Sequence, residues 1–152
     1  MATMVPGKQQ RAIVLGTTVQ RATATLPATA AQTIFNVAGG AVFVTSLIGQ
    51  VTTAIQAQAT TVQIQHTVGA TTTNLTTAAG DVNAAVVGTI VALPGALGGA
   101  SPVQVGAGAS GDAGFVLGTG ALKYVTGATS TGSIKWTITY VPIDDGASVT
   151  AA

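Results

Sequence analysis

Ser133-Ile134-Lys135-Trp136-Thr137-Ile138-Thr139-Tyr140-Val141 alternates polar and apolar side chains along its length. Ile134, Trp136, Ile138 and Tyr140 share one parity, and Ser133, Lys135, Thr137 and Thr139 share the other. A period of two marks a strand with one face in a core. Val62, Ile64, His66 and Val68 repeat the pattern against Gln63, Gln65 and Thr67. Val, Ile and Thr total 54 residues, and their branched Cβ atoms suit a pleated surface.

Working outward, the same reading predicts strands at Thr33–Val37, Ala41–Thr53, Ala54–His66, Thr71–Thr77, Val82–Leu93, Phe115–Leu117 and Leu122–Thr126. Gly39-Gly40, Gly80-Asp81, Pro94-Gly95, Gly127, Thr131-Gly132 and Asp144-Asp145-Gly146 punctuate them as turns. No 15-residue stretch carries a helical period. The predicted class is all-β, a β-sandwich or jelly roll of seven to eight short antiparallel strands.

The chain has 152 residues, enough for one domain. Lys8, Arg11 and Arg21 all precede residue 22, and no further formal charge occurs before Asp81. This asymmetry divides the chain into an extended basic arm, 1–32, and a sandwich domain, 33–152. In the arm only Ala12–Leu15 and Arg21–Leu26 suit strands. Within the domain, 94–114 is a Gly/Ala-rich loop. Ala84–Ala100 is uncharged, but Pro94 and four glycines break it, so it reads as a buried strand and loop rather than a membrane span.

Composition narrows the chemistry. Charged residues are 6% of the chain, Glu and Cys are absent, and the net charge is +1. The lack of Cys removes disulfides, thiolate zinc sites and cysteine nucleophiles. Asp144 and Asp145 are the only adjacent carboxylates. Neighbours on an extended chain point apart, and the following Gly146 indicates a turn rather than an acid/base pair or an ion site. His66 is the only imidazole, and its parity assigns it to a core or an interface. Gly106-Ala107-Gly108-Ala109-Ser110-Gly111 fits a phosphate-loop spacing but lacks the helix that would give it meaning. The sequence therefore predicts no enzyme, cofactor or metal site. Three basic residues in the arm are too few for strong nucleic-acid binding.

Sheet edges expose unpaired backbone groups, which monomers guard with Lys, inward charges or Pro. The domain has only Lys123 and Lys135 for that purpose. Such a chain is expected to be covered by copies of itself or by a partner. Ile134, Trp136, Ile138, Tyr140, Ile64 and His66 are candidates for the core or an oligomer contact.

Three stretches taken together resemble small structural proteins of tailed double-stranded DNA bacteriophages. They are Thr33–Gly40 running into Val42–Thr53, Thr129–Trp136, and Tyr140–Val149. The resemblance covers about residues 30–66 and 129–152 and carries no catalytic residue. It implies a capsid decoration, or cement, protein on the outer surface of the virion. Such a protein bridges neighbouring major capsid subunits and assembles with itself, as a trimer in preference to a dimer. The few bases and the broken apolar stretch at Ala84–Ala100 lead us to expect no nucleic-acid or membrane partner. Lys8, Arg11 and Arg21 in the arm, with Val103 and Val105 in the loop, are the expected capsid contacts. A competing reading, a head-fibre or tail-fibre domain binding host glycans, would place Trp136, Tyr124 or Tyr140 on an exposed face.

Overall fold

The computed structural model describes residues 7, 10, 14–27, 29–94, 97–101, 103–105 and 114–152, with the backbone alone for 104 and 105. In chain order the strands are β1 (Thr17–Gln20), β2 (Ala24–Thr25), β3 (Ala31–Ala38), β4 (Val42–Thr53), β5 (Thr61–Val68), β6 (Thr71–Asn74) and β7 (Gly80–Asp81). They continue with β8 (Thr89–Ala92), β9 (Val103–Val105), β10 (Phe115–Leu117), β11 (Gly120–Thr126), β12 (Ser133–Pro142) and β13 (Ser148–Ala151). Two antiparallel sheets pack face to face as a β-sandwich, as the sequence predicts at that level. The thirteen described strands exceed the expected seven to eight. The surplus comes from short edge strands whose pairing depends on distant partners rather than on local alternation.

One sheet has seven strands in the order β1-β12-β4-β8-β9, with β2 also on β12 and β10 also on β4. The other has six, in the order β13-β3-β11-β5-β6, with β7 also on β5. The connections β3–β4, β4–β5, β7–β8, β10–β11, β11–β12 and β12–β13 each pass from one sheet to the other. Sharp corners are therefore required. At the β3–β4 corner Gly39 has φ 76°, and a Cβ there would lie 2.3 Å from the Gly146 carbonyl oxygen. A side chain is excluded by both conformation and space.

β12 buries Ile134, Trp136, Ile138 and Tyr140, the parity that its sequence sets. Its partner β4 behaves differently. Thr139 faces Ser46 while Tyr140 faces Val44, so Thr45 is an extra residue. This bulge switches the buried parity from Val42 and Val44 to Leu47, Gly49 and Val51. A second bulge lies in β3. Leu122 faces Phe35 and Lys123 faces Thr33, so the adjacent Ile34 and Phe35 are both buried. At the centre of the core the rings of Tyr124 and Trp136 are 5.5 Å apart and tilted by 48°.

Several predicted strands shift. The Ala54–His66 run becomes a loop over 54–60 followed by β5. Val82–Leu93 forms a strand only at β8, because its first seven residues turn: Ile55 N–H donates to the Ala85 carbonyl, and Ala85 N–H to that of Val82. The stretch taken as loop 94–114 contains β9, which pairs with β8.

Candidate functional surface

The span read as an arm, 1–32, contains β1, β2 and the start of β3. β1 lies along β12, from Thr17 opposite Tyr140 to Gln20 opposite Thr137, and β2 continues on Ser133 and Ile134. Arg21 N–H donates to the Trp136 carbonyl at 2.9 Å, and Leu26 N–H to that of Gly132 at 3.1 Å. The Tyr124 hydroxyl donates to the Thr25 carbonyl at 3.3 Å and the Thr126 hydroxyl to the Pro27 carbonyl at 2.5 Å. Residues 17–27 are thus part of the sandwich wall.

The expected contact residues have separate fates. Arg21 is 8% exposed, its Nε donating to the Ala152 carbonyl oxygen at 3.0 Å and its Nη1 buried without a partner. It joins the β1–β2 segment to the end of β13 across one flank of the sandwich. A guanidinium so placed is not presented to another protein. Val103 is half-buried in β9, and the side chain of Val105 lies outside the described residues, as do Lys8 and Arg11. The core and oligomer candidates Ile134, Trp136, Ile138, Tyr140, Ile64 and His66 are all buried, between 0% and 9% exposed. Tyr124 is also 0% exposed, so none of the three aromatics required by a glycan platform reaches the surface.

The outward faces carry few charges. Val116 of β10, Phe43 of β4 and Val141 of β12 stand opposite one another in register, forming a row across three strands. Val116 is 59% exposed and Phe43 37%. Ile143 follows at the same end, 54% exposed, where its N–H donates to the Ala41 carbonyl. Toward the other end polar side chains join this face, Gln20, Thr137, Lys135, Gln50 and Thr52, around Ile48, which stands opposite Thr137 and is 39% exposed. The outer face of the six-stranded sheet is a hydroxyl and amide lattice. Thr33, Lys123, Gln65 and Asn74 align across it, and Gln65 Nε2 donates to Asn74 Oδ1 at 2.9 Å.

The edges show where the two lysines are not. Lys123 and Lys135 occupy β11 and β12, which have a neighbour on each side. Seven described strands are paired on one side only: β7 carries the exposed Asp81, the Tyr124 hydroxyl bonds the Thr25 carbonyl of β2, and the other five, β1, β6, β9, β10 and β13, contain neither charge nor proline. All four residues of β6 are exposed. The chain partly covers its own flanks: β1 touches β13, and Gly98 N–H donates to Leu75 while Thr77 N–H donates to Gly99. Beyond these contacts, the outer edges of the five strands have no partner among the described residues.

Asp144 is a corner clip. Its Oδ2 accepts the Ala41 N–H at 2.7 Å, tying the β12–β13 turn to the β3–β4 turn. Asp81 Oδ1 caps the Asn83 N–H at 2.8 Å. No group of three or more His, Cys, Asp or Glu side chains suited to a metal occurs among the described residues. Burial lowers the pKa of His66, and a hydrogen bond with the Gly118 backbone opposes that shift. Burial raises Tyr124 to about 12, with the Arg21 charge acting against it. No described helix is long and apolar enough to cross a membrane.

Sequence reasoning missed the Val116–Phe43–Val141 row. Val42-Phe43-Val44 is a continuous apolar run, and only the Thr45 bulge and the register decide which side Phe43 takes. Compared with known proteins, the chain matches no family model, no curated protein and no solved structure.

Proposed function

We propose that this chain is a structural virion protein that decorates and cements a bacteriophage capsid. The observation that carries this reading is that five of the seven described edge strands lie open without a charge or a proline. A sheet that circulates alone is guarded at its borders, and these borders accept another strand or subunit. The apolar row Val116–Phe43–Val141 adds a sticky face without charge to repel a neighbour. The resemblance of 30–66 and 129–152 to phage structural proteins supplies the partner, the major capsid protein, along with self-association. Cementing then works by linked modest contacts, because two tethered contacts bind far more tightly than either alone.

Within this reading the docking segments are the chain before Val14, with Lys8 and Arg11, and the stretch around Val103 and Val105. Arg21 acts inside the sandwich. The test uses purified heads of the virus that encodes the chain, native and stripped of it. Cementing predicts many copies per head, earlier breakage of stripped heads on heating, and recovery when the protein is restored. Absence from particles, or a few copies whose loss affects only host attachment, would overturn the proposal.

A further inference from the structure

His66 is the only imidazole in the chain and sits on β5 beneath the β10–β11 corner, 9% exposed. Thr73 of β6 and Leu122 of β11 flank it in register. One ring nitrogen is engaged with the Gly118 backbone, while Nε2 is buried without a partner. A Cβ on Gly120 would lie 2.9 Å from Nε2 and 2.4 Å from the Thr67 carbonyl oxygen, so the corner is folded tightly onto the ring. This arrangement fits one protonation state. In the neutral ring, the N–H donates to Gly118, and Nε2 keeps a lone pair that can rest against the glycine backbone. In the charged ring, Nε2 gains an N–H with nowhere to donate it.

We infer that His66 is an acid-sensitive latch, whose protonation releases the β10–β11 corner and loosens the adjacent open edge of β6. No neighbouring charge compensates. β6 and β10 contain no titratable side chain, and Lys123 of β11 points to the outer face. The titratable groups facing the interior from β11 and β12 are the phenols Tyr124 and Tyr140. Burial holds the native ring below its ordinary value of 6.5, so the unfolded or opened chain takes the proton first. The latch contributes fully above the unfolded value, and its contribution is lost as pH falls through that value toward the native pKa. The interval from pH 7 to 5 spans the ordinary imidazole range, and the His66→Asn comparison isolates the His66 contribution within it.

The test compares the wild type with His66→Asn, which can still donate to Gly118 but cannot titrate. Backbone hydrogen exchange, corrected for intrinsic rates, is read at pH 7 and pH 5. The wild type is expected to lose protection at residues 118–122 and 71–74, by up to about tenfold per unit separating native and opened pKa values. His66→Asn is expected to stay level over the same interval. Proton NMR of the His66 ring in the wild type provides a readout independent of the variant, with titration expected below 6.5. A ring that titrates at or above 6.5, protection that does not change with pH, or loss spread evenly over both sheets would overturn the latch.

Discussion

Gly49 faces Trp136 across the β4–β12 pair, and the ring fills the space a side chain would need. A Cβ on Gly49 would lie 2.9 Å from Trp136 Cζ3 and 3.0 Å from Ile134 Cγ2, both deep in the core. Gly49→Ala is therefore expected to destabilise the protein by about 1–3 kcal/mol through overpacking. Urea unfolding followed by the single tryptophan measures the loss. Tyr124 offers a second test. Its phenol is neutral in the fold up to about 12 but ionises near 10 when unfolded. Stability that is complete below pH 10 should decline as pH rises from 10 to 12, and Tyr124→Phe should remove that component of the decline. Thermal midpoints across this range check the sign. The inward parity of His66 and Trp136 was legible because alternation on β5 and β12 is unbroken. The burial of Arg21 was not, since an arginine among basic residues reads as surface. Only the path of β1–β2 past β13 gives it the Ala152 oxygen.

Among the elements, β12 and β10 were legible at nearly their observed ends, because one parity runs along each without an extra residue in the strand itself. β4 was legible as a strand but not in its facing, since one extra residue at Thr45 reverses which side chains are buried. β1, β7, β9 and β13 were missed: β1 falls between the arm strands expected at Ala12–Leu15 and Arg21–Leu26, and Gly80-Asp81 reads as a turn. Val103–Val105 and Ser148–Ala151 are three and four residues long, too short for alternation to stand out. The corner between β3 and β4 carries its own prediction. Asp144→Ala removes the acceptor of the Ala41 N–H, at an expected cost of about 1 kcal/mol. Asp145→Ala removes an exposed carboxylate with no such bond among the described residues, so its thermal midpoint should match the wild type.

For the whole molecule, the arm separates into a removable part and a structural part. Deleting residues 1–15 leaves every described strand in place and should preserve the β circular dichroism signal and the melting midpoint. Deleting residues 1–32 removes β1, β2, Arg21 and the carbonyls that receive Tyr124 and Thr126, and should lower that midpoint markedly. If 1–15 holds the docking contacts, the shorter deletion alone abolishes binding to stripped heads. The outer face is tested by Val116→Lys. It places a charge on a position 59% exposed, so stability should move by no more than about 0.5 kcal/mol. Sedimentation should show weaker self-association.

The position of β12 near the end of the chain also sets the order of events during synthesis. β12 is the sole ladder partner of β1 and β2 and lines one whole side of β4. Until residues 133–142 leave the ribosome, none of those three strands can complete its pairing. Closure over such long separations in sequence is entropically slow, on the order of milliseconds to seconds. The nascent chain therefore holds β4 half-bare for most of its translation, and a stop codon placed before residue 133 should yield aggregates rather than a smaller sandwich.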